Sequence, residues 1–466
     1  MKVLRQIRPT PEQLTVINRQ AKGVLVVRGA AGSGKTTTAL YRLKQTVRYW
    51  QRRVRDGHML GPVRVLVLTY NRTLRGYIEE LARADITGTD VQLTIATFGK
   101  WATSSLPAHT LVRDNAKAVK LRELGKGLGL EEAFLRSEVD YVLGRFRTTE
   151  LESYLTCERA GRGATPRVAQ ATRRRLLDEV IYPYAQWKAD KGTHDWPDLA
   201  NEMVDQTPAG KYHVVVVDEA QDFSANQVRA VLAHLAADHS VTFVTDGAQR
   251  IYPQRFTWTE VGLTVGPSNS KQLSQNFRNT RQIAAFAASL LTQVEVTDDS
   301  AIPDLTTCTA NGPRPVLVAG RFSAQMDHVI AFIKQLDPDA QESVAILHAK
   351  GWDWFDYVKR RLVSAGLAYV EITRQSEWPS GPEQIALSTM HSVKGLEFDH
   401  VIIVGLNEET MPHGAEAGDS ERDAHLRLLA MAAGRARSTL RVTYKPDEAS
   451  DLIACIDPAT YDQVTQ

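Results

Sequence analysis

Two short stretches carry residue types that together handle phosphate. Gly29-Ala30-Ala31-Gly32-Ser33-Gly34-Lys35-Thr36 is a full GxxxxGK(S/T) match, and Thr37 follows it. Glycines so placed let backbone N–H groups curl round phosphates, and the N-terminus of a following helix favours their negative charge. Lys35 would reach the β- and γ-phosphates, and the Thr36 hydroxyl would ligate Mg²⁺. The second stretch is Asp218-Glu219-Ala220-Gln221-Asp222, directly after four valines. A carboxylate at the C-terminal tip of a parallel strand sits where open α/β sheets bind ligands. Asp218 suits the outer shell of Mg²⁺, and Glu219 suits orienting and deprotonating an attacking water. The chemistry is phosphoryl transfer from a nucleotide to water.

Such residues need strands to hold them. VLVV (24–27), VLVL (65–68), VVVV (214–217), TFVT (242–245), VLVA (316–319), VAIL (344–347) and VIIV (401–404) are too short for core helices. They are also too continuous for half-exposed strands, and fit parallel sheets covered by helices on both faces. Alternating strands and helices at both ends predict two α/β domains. The stretch from about 102 to 205 has no strand-like run, and six arginines from Arg159 to Arg175 come without an acidic residue. It reads as a helical insertion, giving a first domain over 1–101 and 206–270, an insertion over 102–205 and a second domain over 271–466. WPSGPEQ (378–384) reads as a surface loop.

Composition sets the outer limits. The 466 residues carry a formal net charge of +2, so a polyanionic partner would have to be met by local patches. Cys157, Cys308 and Cys455 are far apart with no CxxC pair, which argues against a disulfide framework, a structural zinc or an iron–sulfur cluster. No stretch approaches the roughly 20 apolar residues of a membrane span, and the N-terminus has no signal-peptide core. A cytoplasmic location without membrane contact is the expectation.

With both phosphate motifs in place, the chain resembles the UvrD/Rep/PcrA-like helicases of superfamily 1 over nearly its whole length. DEAQD is that family's Walker B box, and Gln13 in TPEQLTVI looks like its adenine-reading glutamine. Thr69-Tyr70-Asn71-Arg72 resembles motif Ia, Thr97-Phe98 motif Ib, and Asp246 to Tyr252 motif III, with Gln249 as γ-phosphate sensor. Asn276-Phe277-Arg278 is similar to motif IV, Thr389 to Phe398 to motif V, and Arg427 to Arg437 to motif VI. Departures are Gly434 where relatives usually have Thr, Ala430 for a tyrosine, Thr245 for a glycine and Gln254 for a base-stacking tryptophan.

The resemblance implies two RecA-like domains with ATP and Mg²⁺ between them. Arg278 and Arg435 would be arginine fingers, Phe277 and Glu397 would contact the nucleotide, and Thr69, Tyr70, Thr97, Phe98, Tyr252 and His391 would contact nucleic acid. It also implies a motor on single-stranded DNA and single-strand/duplex junctions, moving 3′→5′. The span from Arg278 to Thr389 suffices only for the second α/β domain, so the accessory insertion of larger relatives is missing. A compact motor with no appended nuclease is expected, working with a partner such as a nuclease or loader. A translocase with little unwinding and an ATP-gated DNA-binding switch are the alternatives. The arginine-rich stretches 42–55 and 159–175 would bind nucleic acid or form solvated helix faces.

Overall fold

The computed structural model describes every residue except 1–7, 30, 31, 70–78, 80–89, 158–167, 207–209, 247–255, 277, 293, 295–304, 306, 307, 309, 352, 374–378, 380 and 414–419. In chain order the strands are β1 (Gly23–Gly29), β2 (Val63–Thr69), β3 (Val91–Thr97), β4 (Thr110–Leu111), β5 (Thr193–His194), β6 (Tyr212–Val217), β7 (Leu235–Thr245) and β8 (Ser270–Leu273). Then come β9 (Val316–Ala319), β10 (Val344–His348), β11 (Tyr369–Glu371), β12 (Ile385–Thr389), β13 (Phe398–Ile403), β14 (Ala436–Tyr444) and β15 (Asp462–Thr465). They form two large parallel sheets, ordered β3-β2-β6-β7-β1-β8 and β11-β12-β10-β13-β14-β9-β15. The α/β expectation and its two sheets hold.

The seven apolar runs fall on β1, β2, β6, β7, β9, β10 and β13. Strands β3, β8, β11 and β15 lie at sheet edges, where one side is open and polar residues interrupt the pattern. One continuous apolar cluster runs from helix Lys35–Arg55 and the first sheet into the second sheet. Phosphate motifs on the first sheet thus share a core with motifs on the second.

The helical stretch has its own core, from Leu121 through Tyr141 and Tyr154 to Tyr184. The helices flanking it, Phe98–Ser105 and Trp196–Asp205, pack instead into a cluster with β2 and β6. We therefore propose the seam of the insertion at the β4–β5 pair, inside the limits 102 and 205.

Of the arginines expected on a charged face, Arg42 and Arg173 are structural, while Arg174 and Arg175 stay exposed. Arg42 is buried and donates to the carbonyls of Val16 (3.1 Å), Arg19 (3.1 Å) and Gln20 (2.8 Å), tying helix Pro11–Ile17 to helix Lys35–Arg55. Burial, then the Arg19 charge, lowers its pKa to about 10. Arg173 donates to the carbonyls of Tyr154 (3.0 Å) and Cys157 (2.8 Å), while Arg174 and Arg175 fork onto Glu152 and Glu179. Arg159, Arg162 and Arg167 lie outside the described residues. Among those described, no helix is long and apolar enough to cross a membrane.

Arg42→Met keeps the aliphatic stem and strips three carbonyls, that of Val16 buried, of their donor. The expected loss is about 2–4 kcal/mol in urea unfolding followed by tryptophan fluorescence. A loss below about 0.5 kcal/mol would mean that water replaces the guanidinium.

Candidate active site

The first sheet sets one wall of a cleft. After β1 the chain turns through Gly32 (φ +81°) and Gly34 (φ +72°) into helix Lys35–Arg55, and both glycines are needed. A Cβ on Gly32 would run into the Asn276 carboxamide, and one on Gly34 would lie 2.5 Å from Gln13 Nε2. Lys35 Nζ donates to Gly29 O (2.8 Å) and pairs with Asp246 (2.8 Å), whose carboxylate is fully buried. The Thr36 hydroxyl donates to Asp218 at 3.0 Å. Burial, then the neighbouring Glu219 charge, raises the Asp218 pKa. Burial also acts to raise Glu219, but Lys394, Arg435 and Lys35 together hold it below the usual carboxylate range. Glu219 adopts φ +54°, a left-handed conformation that costs a non-glycine residue about 1–3 kcal/mol and clusters at functional sites. Gln221 joins two segments, its Nε2 donating to Glu219 and its Oε1 accepting from the Asp246 N–H (2.9 Å).

The second sheet supplies the opposite wall. Arg278, Gly395, Glu397 and Arg435 face Gly32, Lys35, Thr36 and Thr37 across a cleft. Arg278 forms an ion pair with Glu397. Arg435 is almost wholly buried, and its Nε lies 3.3 Å from Met431 Sδ. Burial, then Arg278, lowers its pKa to about 10. Two asparagines set these arginines in place. Asn276 Oδ1 accepts from the N–H groups of Arg278 (3.0 Å) and Asn279 (3.2 Å), and Asn279 Nδ2 donates to Gly434 O (3.0 Å) and Ala436 O. Asn276 therefore touches the phosphate loop while its partner Asn279 holds the segment that carries Arg435.

A triphosphate with a divalent cation fits this chemistry. Arg278, which lines the cleft, has its buried Nε without a hydrogen-bond partner, and the neighbouring phosphate loop holds a second such atom in Ser33 Oγ. Thr36 and Asp218 together offer the hydroxyl and carboxylate oxygens that Mg²⁺ takes.

Sequence reasoning overlooked Lys394. It lies in the loop after β12, only 1% exposed, yet reaches across to the first sheet. Its ammonium donates to Asp222 and lies 3.8 Å from Glu219. Its position in the Thr389–Phe398 motif was visible, but a contact between units is not encoded by spacing.

Other expected contacts fare differently. Gln13 is buried, its Oε1 accepting from the Thr10 N–H (3.0 Å) and its Nε2 donating to Ser33 O (3.1 Å), so its amide braces the loop. Phe98, expected to contact nucleic acid, sits against the sheet. It is 6% exposed and packs edge-on against Trp101 and Phe223, because the helix it starts turns that face onto the sheet. Thr69 is likewise fully buried at the end of β2. Thr97 caps helix Phe98–Ser105 by accepting from the Lys100 N–H (3.4 Å), and His391 is exposed. Ala30, Ala31, Tyr70, Gln249, Tyr252 and Phe277 lie outside the described residues.

Residues 9–260 match the UvrD/REP helicase N-terminal domain, and residues 362–447 match the UvrD-like helicase C-terminal domain. A probable DNA helicase of Mycoplasma pneumoniae (strain ATCC 29342 / M129 / Subtype 1) is 22% identical over 418 residues, covering 84% of this chain and 74% of that protein. The crystal structure of the C-terminal domain of a possible DNA helicase from Lactobacillus plantarum WCFS1 aligns with a TM-score of 0.31 at 22% identity. It covers 40% of this chain and 98% of that one.

Lys394→Met should leave Asp222 and Glu219 facing each other without the ammonium. Breaking a buried pair from one side costs about 3–5 kcal/mol. The expected outcome is a lower melting temperature and at least about a tenfold fall in ATP turnover; an unchanged melting point and rate would show that the contact is incidental.

Proposed function

We propose, from the premise that the chain belongs to the UvrD/REP helicase family, that it is an ATP-driven motor on single-stranded DNA that unwinds duplex, moving 3′→5′. The observation that carries this reading is the split cleft. The phosphate loop and DEAQD lie on one sheet, and Arg278, Glu397 and Arg435 reach in from the other. Hydrolysis with charge built up on the γ-phosphate needs cations at that oxygen. When half of them come from the second unit, turnover and closure of the cleft become one event.

In this reading Lys35 holds the β- and γ-phosphates, and Thr36 and Asp218 hold Mg²⁺, which neutralises phosphate charge when bound. Glu219 accepts the proton of the attacking water, and its depressed pKa keeps it ionised for the task. Arg278 and Arg435 act on the transferring phosphoryl group, Glu397 on the ribose, and Gly29, Gly32, Ser33, Gly34 and Thr37 line the phosphate path. His391 and Thr97 are the described candidates for DNA contact.

The test is steady-state ATP hydrolysis with and without single-stranded DNA. Stimulation is expected, and Lys35→Ala or Glu219→Gln should lower it by at least about a hundredfold with the circular dichroism unchanged. Retained turnover in both variants would mean that the site is misassigned. Separately, log affinity for single strands should fall linearly with log salt, at about −0.7 per phosphate contacted. A flat response would remove the electrostatic account of binding.

A further inference from the structure

At the seam between the helical insertion and the first sheet, three side chains converge that the motor does not use. His109 directly precedes β4, His194 ends β5, and Glu202 projects from helix Trp196–Asp205. Strands β4 and β5 pair in parallel with Leu111 opposite His194, which brings the two imidazoles together, ring centroids 4.2 Å apart and tilted by 47°. The Glu202 carboxylate reaches both. Its Oε2 lies 2.8 Å from His109 Nε2, and its Oε1 lies 3.0 Å from His194 Nε2. Among the described residues this is a group of His, Cys, Asp or Glu whose donor atoms all lie within 4.8 Å of one another.

The angles matter as much as the distances. His109 Nε2 is buried beside a carboxylate oxygen and still makes no hydrogen bond, so its donor axis points elsewhere. His194 likewise keeps a buried ring nitrogen, Nδ1, without a partner. Two imidazoles and one carboxylate so converging, with the His109 nitrogen beside the carboxylate left unbonded, offer three ligand atoms to a shared centre. Two nitrogens and one oxygen suit zinc, with a fourth position left for water.

We propose that His109, His194 and Glu202 bind one Zn²⁺ ion that pins the insertion to the first sheet. The ligands come from the strand that leaves the first domain, the strand that returns, and a helix sharing the core of β2 and β6. A cation there fixes the exit, the return and the sheet to a single point. The cysteine pattern gave no hint of it, because the ligands are histidines and a glutamate far apart in sequence.

The test uses the untagged full-length chain, stripped with chelator and titrated with Zn²⁺ against a chromophoric competitor in buffer free of nucleotide. One tight equivalent is expected, with a rise in melting temperature that grows with free Zn²⁺. In His194→Gln and Glu202→Gln, checked for folding by circular dichroism, affinity should fall at least about tenfold, the lower end of what losing even an outer partner costs a metal site. Co²⁺ gives a readout free of mutation, a visible absorption band with the unaltered chain that Zn²⁺ abolishes. Equal Zn²⁺ affinity in the folded variants, or no Co²⁺ band in the unaltered chain, would overturn the proposal.

Discussion

A lysine ammonium buried between two sheets governs how this molecule is put together. An unpaired charge in such a place costs several kcal/mol, so Lys394 is tolerable only where carboxylates meet it. Those carboxylates, Asp222 and Glu219, belong to the other α/β unit. The relative placement of the sheets is thus fixed by an electrostatic demand as well as by shared apolar area. Every other element of the cleft sits within that placement. Asn276 can lie against Gly32, and Arg278 can share a cleft with Lys35, only when the units are so related.

The same logic describes the cleft as a set of charges already matched. Lys35 pairs with Asp246, Arg278 with Glu397, and Lys394 with Asp222. A triphosphate entering here exchanges partners instead of meeting bare cations. Its binding energy is the difference between phosphate and carboxylate as ligands for the same ammonium and guanidinium groups. Glu219 stands apart, held in a left-handed backbone conformation and supported by Gln221. Strain of that kind survives only where the surroundings over-determine it.

Much of this was legible in the sequence, and the reason is locality. The phosphate loop and DEAQD are contiguous, sit directly after apolar runs, and need only a strand end to become functional. Buried central strands such as β1, β6 and β10 announce themselves by continuous apolar runs, while edge strands such as β8 and β15 do not. Residues whose work lies across the fold were silent. Arg42 looked like one arginine in a charged stretch, and nothing in the spacing singled out Asn279. The contact of Phe98 with Trp101 was silent for a related reason, because an aromatic residue after a strand has the same spacing whatever its ring packs on. The site was thus readable as a list of groups but not as the set of contacts that aligns them.

The strand order carries a consequence for how the chain is made. Strand β1, Gly-Val-Leu-Val-Val-Arg-Gly, lies between β7 and β8, both of which arrive after residue 234. During synthesis this apolar ribbon must wait, unpaired, while the helical insertion with its separate core is completed. Loop closure over such distances is slow, and exposed strand edges invite association with other chains. Nascent chains of this protein should therefore depend on holding chaperones until the seventh strand has emerged, a burden set by topology and independent of how stable the finished fold becomes.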